Sequence, residues 1–157
     1  MPKKSRVKKT FSFKKLADKI DDIIVKDINT LGNHINKTIQ EGIDRGKDIN
    51  DASFKPLEPV TIALGGKKPL DRTGKMKQTS TIKAKPNKPQ YIIKMKTKYG
   101  AYHNTGFTQT NKNQWFHGSK VPQREWFGIP KSMTPGKPDY QKAVVERHLR
   151  IKAAFKK

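Results

Sequence analysis

The chain has 157 residues, 32 % of them hydrophobic and 31 % charged, and its 35 Lys and Arg against 13 Asp and Glu give a formal charge of +22. The length suits one compact domain with an extra arm or tail. The apolar fraction is thin, so part of the chain is expected to be ordered by neighbouring subunits. With no cysteine, disulfides, thiolate metal sites and Cys nucleophiles are excluded. No apolar run approaches the roughly 20 residues of a membrane span. The charge favours polyanions such as nucleic acid, an anionic membrane or acidic proteins, although a lysine-rich surface can also serve solubility alone.

Residues 1–12 contain no acid and few apolar side chains. They read as a flexible basic arm, whose Lys3, Lys4, Arg6, Lys8 and Lys9 are candidate DNA or polyanion contacts. No apolar stretch follows them, so they are not a secretory signal. From Ser12, the expected N-cap, Leu16, Ile20, Ile23, Ile24, Ile28, Leu31, Ile35, Ile39 and Ile43 recur at spacings of three and four. That periodicity predicts an amphipathic helix over about 13–45. Such a helix is about 45 Å long, more than one small domain covers, so one end is expected on another subunit. The alternative is a hairpin folded back at Gly32.

Residues 46–76 form a connector punctuated by Pro and Gly. Its Phe54, Leu57, Val60, Ile62, Leu64, Leu70 and Met76 are expected in the core. Two antiparallel strands are predicted next, over about 77–85 and 90–98, joined by a turn at Pro86–Pro89. In the second strand Ile93, Met95 and Thr97 alternate with Lys94, Lys96 and Lys98. The lysines are ordinarily a solvated face; in this charge context they are also candidate DNA or polyanion contacts. Residues 107–120 read as a long exposed loop, in which Trp115 and Phe116 are candidate partner contacts or tuck back onto the core. Arg124, Trp126 and Phe127, in the apolar segment that follows, are further candidate subunit contacts. A C-terminal helix over about 139–155 is expected to start at Asp139 and to pack through Tyr140, Val144, His148, Ile151 and Phe155. The fold class is therefore α+β: a long N-terminal and a C-terminal helix packed on a small antiparallel sheet, as one domain over 13–157.

No catalytic motif is present: there is no nucleophile elbow, phosphate-binding loop, dinucleotide fingerprint or His-Glu metal motif. His34, His103, His117 and His148 lack ligand spacing. The acids of the first helix alternate with Lys and Arg, which reads as intrahelical ion pairing, not as a carboxylate site. The reading is of a non-enzyme without catalytic residues, metal or cofactor.

Three loop segments carry more information. They are Phe54-Lys55-Pro56-Leu57 with Lys68-Pro69-Leu70-Asp71-Arg72-Thr73-Gly74-Lys75-Met76; Tyr99-Gly100-Ala101-Tyr102-His103-Asn104-Thr105-Gly106; and Val121-Pro122-Gln123-Arg124-Glu125-Trp126-Phe127-Gly128. In this order they resemble the phage virion morphogenesis family, the Mu-like tail completion group, related in plan to tail terminator and head–tail joining proteins. The family pattern runs F-x-P-L, K-x-P-L-x-D-T-G-x-L, Y-A-x-x-H-x-x-G and I-P-A-R-x-F-L-G, with a helix at each end. This chain departs from it in the extra residue at Arg72, in Met76 for Leu and in Gly100. The resemblance implies a structural virion protein at the head-proximal end of a tail. It would act as a ring, commonly a hexamer, with tail tube and neck or connector proteins as partners, and with genomic DNA in its lumen. It implies no membrane partner, and it places the protein in the virion, with the host cytoplasm as the site of assembly. The alternative is a basic nucleic-acid-binding protein of ribosomal or DNA-packaging type, in which Trp115 and Phe116 stack on bases.

Overall fold

A computed structural model describes residues 12–70, 73–110, 112, 118 and 120–155. The expectations placed on Lys3, Lys4, Arg6, Lys8, Lys9, Trp115 and Phe116 therefore lie outside the described residues.

The fold is α+β. Helix α1 spans Phe13–Arg45 without a break, about 50 Å at 1.5 Å per residue. Its start is fixed as expected: the Ser12 hydroxyl accepts the Lys15 N–H at 3.4 Å, which satisfies one of the otherwise unpaired first-turn donors. It stops at Gly46, whose φ of 70° lets the chain turn left-handed while the N–H groups of Gly46 and Lys47 cap the carbonyls of Ile43 and Gly42. Burial along α1 is uneven. Ile39 and Ile43 are buried, whereas the apolar stripe from Leu16 to Ile35 is only half covered.

Gly32 neither bends nor splits α1. It is buried beneath Tyr91 of the hairpin, and a Cβ at this position would approach three atoms of the Tyr91 ring to less than 3.0 Å. The glycine is a seat for an aromatic ring, not a helix breaker.

After α1 the chain makes a tight strap. The Asp48 carboxylate accepts the N–H groups of Asn50 and Ala52, both at 2.8 Å, and the Phe54 N–H returns to Gly46 O. Helix α2, Pro59–Ala63, and a 3-10 turn at Lys75–Lys77 follow. Phe54 and Met76 enter the core as expected, but Ile62 and Leu64 stay exposed.

Strands β1, Thr79–Ile82, and β2, Ile92–Met95, are antiparallel with Thr79 opposite Met95 and Ile82 opposite Ile92. They are shorter than expected at both ends: at the turn end Asn29 of α1 captures the backbone of Ala84, donating to its carbonyl at 3.2 Å and accepting its N–H at 2.8 Å, and at the other end the 3-10 turn at Lys75–Lys77 and the bend at Lys96 replace strand. Residues 99–106, expected as a loop, contain helix α3, Gly100–Thr105. Strands β3, Phe107–Thr108, and β4, Lys120–Val121, pair antiparallel at the base of the expected long loop, making a second sheet.

A 3-10 turn at Lys131–Met133 leads to helix α4, Pro138–Phe155. It begins one residue before Asp139, since Pro has no N–H to leave unpaired at a first helical position. The packing of α4 corrects the expected stripe in part: Tyr140 and Ile151 are half covered. Val144, His148 and Phe155 face outward, and no residue of α4 is buried. Small Ala143 and the arginines Arg147 and Arg150 face α1 instead.

The core is small: Ile39, Ile43, Phe54, Met76 and Trp126, with Ile35, Leu70, Met95 and Phe127 around it.

Candidate assembly and polyanion surfaces

The three loop segments singled out in the sequence meet at one joint. Its centre is Trp126, 1 % exposed. The indole N–H donates to Gly100 O at 3.2 Å. Gly100 must lack a Cβ here, since one would meet Met95 Sδ at 2.9 Å and Trp126 Cζ2 at 3.0 Å. Asn104 clips the next residue by a reciprocal pair, its amide donating to Phe127 O at 3.1 Å and accepting the Phe127 N–H at 2.9 Å. Arg124, 6 % exposed, donates from its guanidinium to Lys55 O at 3.3 Å and Pro56 O at 3.4 Å. Its own N–H reaches His103 O at 2.8 Å. Both bonds leave the same nitrogen, Nη2, whose two hydrogens serve the two successive carbonyls.

This joint corrects the reading of Arg124 and Trp126 as partner contacts, because both side chains are consumed inside the protomer. Phe127 is half-buried and packs edge-on to Trp126 at 5.4 Å between centroids. It also lines a wall of an open apolar groove of about 390 Å³, together with Leu31, Ile35, Tyr91, Ile93 and Ile129. Ile129 is 64 % exposed at its rim. Of the three, Phe127 alone remains a candidate contact, and Ile129, which the sequence reading passed over, joins it.

His103 lies between Tyr99, which meets it edge-on at 6.2 Å, and the Arg124 backbone. Burial, and then the Arg124 charge, hold its pKa below 6.5. Burial likewise lowers the pKa of Arg124, an effect that Glu58 opposes. A neutral imidazole beside a buried guanidinium avoids two cations in one desolvated space. Among the described residues no group of three or more His, Asp or Glu could hold a metal ion, and no helix is long and apolar enough to cross a membrane.

The lysine face has the alternation expected of it: Lys94, Lys96 and Lys98 are exposed, while Ile93, Met95 and Thr97 are turned inward. What holds the hairpin is a polar row on α1 that periodicity of apolar residues does not reveal. Besides the Asn29 clasp on Ala84, Asn33 accepts the Tyr91 hydroxyl at 2.6 Å. Asn36 accepts the Thr79 hydroxyl at 2.7 Å, and Gln40 donates to Lys77 O and Thr79 Oγ1, both at 3.3 Å. Positions 29, 33, 36 and 40 share one helix face by their spacing.

The expected intrahelical ion pairing is only part of the arrangement. Lys37 pairs with Glu41 at 3.6 Å within α1, but Asp27 does not pair along its own helix. It is 8 % exposed and receives Arg150 and Arg147 of α4, the latter with Nε 3.3 Å from Oδ2. The signal was available in the sequence. Asp27 sits within the apolar stripe, between Ile24, Ile28 and Leu31, where a carboxylate needs a cation from elsewhere.

Comparison with protein-family models, with curated proteins and with solved structures gave no match to this chain.

Proposed function

We propose that this chain is a non-enzymatic structural protein of a phage particle, acting at the head-proximal end of the tail as a completion, terminator or head–tail joining component and assembling as a ring, with six copies the expected number. The observation that carries the reading is the joint at Trp126. The three segments that resemble the tail completion group lie far apart in the chain, yet they lock to one another around a single indole through side-chain to backbone bonds. Such a joint fixes a protomer's shape and leaves the groove beside Phe127 and Ile129 for a neighbour. The half-covered stripe of α1 is a second surface for the same purpose. A head-to-tail contact between two different surfaces of one protomer closes into a ring when its rotation closes.

One observation favours the second reading, a basic nucleic-acid-binding protein of ribosomal or packaging type: none of the exposed hairpin lysines is in an ion pair. The described part of that face has no aromatic free to stack on a base, which sequence-tolerant single-strand binding uses, so assembly is the primary reading.

The test is the mass and shape of the purified protein, by light scattering and electron microscopy, alone and with tail tubes. Closed rings, or caps on tube ends, are expected, and Ile129→Asp should reduce the assembly to protomers while keeping the fold. A protein that stays monomeric at high concentration and binds neither tube nor connector would sink the proposal.

A further inference from the structure

We infer that the outer face of the β1–β2 hairpin is a binding site for duplex nucleic acid, held by its phosphate backbone without regard to sequence. This goes beyond the assembly reading and does not depend on it.

The first ground is uncompensated charge. No acidic residue lies between Asp71 and Glu125. Lys83, Lys85, Lys88, Lys94, Lys96 and Lys98 are all exposed. The ion pairs of the described residues use Lys37, Lys47, Lys77, Arg147 and Arg150, and none of these six. A solvated sheet face of a stable domain ordinarily interleaves both signs; here the repulsion among six cations is left standing.

The second ground is geometry. Lys94 projects from β2, and Lys96 and Lys98 are exposed just past its end, in the bend and turn that lead to α3. Ser80 and Gln78 lie across the ladder from Lys94 and Lys96 and add hydroxyl and amide groups to the same face. Ile82 and Ile92, also paired on this face, sit at its turn end and leave the lysine row continuous. A two-stranded ribbon is narrow enough to lie along a duplex groove.

The third ground is rigidity. The Asn29, Asn33, Asn36 and Gln40 bonds fasten both strands to α1, so the lysines are presented on a fixed platform. Binding then orders only the lysine side chains.

A duplex is favoured over a single strand because the lysine face itself, Gln78, Ser80, Ile82, Ile92, Lys94 and Lys96, carries no aromatic. Tyr91 lies on Gly32 with its hydroxyl on Asn33, and Tyr99 meets His103. A single strand bound without stacking gives up about 1–3 kcal/mol per base, whereas a duplex needs no stacking partner.

The experiment is a fluorescence-anisotropy titration of the full chain with 20-base-pair duplexes of two unrelated sequences, at several salt concentrations. The site variant is the triple Lys94→Gln, Lys96→Gln, Lys98→Gln, and the charge-matched control is Lys137→Gln, Lys142→Gln, Lys152→Gln on and beside α4. Each phosphate contact contributes about 0.9 to the slope of log affinity against log salt. The site triple should therefore lower that slope by about 2.7. Affinity for the two sequences should be equal, and the control should change the slope by less than half as much. Should the triple misfold by circular dichroism, the single reversal Lys96→Glu takes its place, with a slope loss of at least one contact expected. Equal slope losses in the site triple and the control would overturn the inference, since total charge would then explain binding. Polyglutamate or phosphatidylserine vesicles bound more tightly than duplex, with the same lysine dependence, would overturn it in favour of an acidic protein or a membrane. Ring formation is read by light scattering on the same samples, so a failure here is separable from a failure of the assembly proposal.

Discussion

Replacing Gly32 by alanine puts two physical effects in opposition, and the structure decides between them. In an exposed helix interior the change stabilises by about 0.8–1.0 kcal/mol, because glycine loses more backbone freedom on folding. At Gly32 the new Cβ falls within 3.0 Å of Cγ, Cδ1 and Cδ2 of Tyr91. These are ring atoms close to the backbone, not the flexible end of a chain, so the ring cannot swing aside without moving β2. Overpacking of this kind costs about 1–3 kcal/mol. The displaced Tyr91 hydroxyl also loses Asn33, a bond worth about 0.5–1 kcal/mol at an exposed position. The net expectation is a destabilisation of about 1–2 kcal/mol. The Tyr91→Ala background supplies the decisive comparison. With the ring gone, only helix propensity remains, so Gly32→Ala should now stabilise by up to about 1 kcal/mol. The assay is urea unfolding of the four proteins at matched slope, closed into a double-mutant cycle. A coupling near zero, or a Gly32→Ala variant more stable than the parent in both backgrounds, would refute the ring-seat account.

Two further outcomes are expected. Asp27→Asn removes the charge that Arg147 and Arg150 share, and with both arginines partly solvated the loss should be about 1–2 kcal/mol. Hydrogen exchange should speed up in α4 ahead of the rest of the fold, and added salt should shrink the difference between variant and parent. The second concerns His103, whose pKa in the fold lies below 6.5 through burial and the Arg124 charge. The unfolded chain therefore takes up the proton first. The stability from a neutral His103 is whole above about pH 6.5 and is lost as pH falls through the lower folded value. His103→Gln should flatten the decline of melting temperature between about pH 7 and 5, and parallel profiles for the two proteins would rule the group out.

The elements that could be read in advance are those specified by their own residues. The bounds of α1 follow from its stripe, Ser12 and Gly46, and the alternating exposure over residues 93–98 follows from the period of two in the sequence. What was illegible depends on partners distant in sequence. Gly32 is a helix weakener until Tyr91 is placed on it. Asn29, Asn33, Asn36 and Gln40 are unremarkable polar positions until β1 and β2 lie across them. In α4 periodicity alone marks Tyr140 and Ile151 correctly as half covered but not Val144, His148 and Phe155, because apolar side chains make only part of the contact. The bond is ionic, its carboxylate lies in α1, and Ala143 lets the helices approach. For Trp126 and Arg124 residue type alone points to a partner, since aromatics and arginine dominate interfaces, yet the same traits make them good interior fasteners. The two sites on Trp115 and Phe116 and the basic arm lie outside the described residues.

The burial of Trp126 has a consequence for biosynthesis. Its indole closes on Ile39, Ile43 and Phe54, so the core has no lid until Trp126 has left the ribosome. Helix α1 emerges first, with its apolar stripe and the seat at Gly32 uncovered, and an isolated helix is only marginally stable in water. Long-range closure of this kind makes folding late and nearly all-or-none. A nascent chain stalled before residue 126 would thus present a cationic, half-apolar helix to its surroundings.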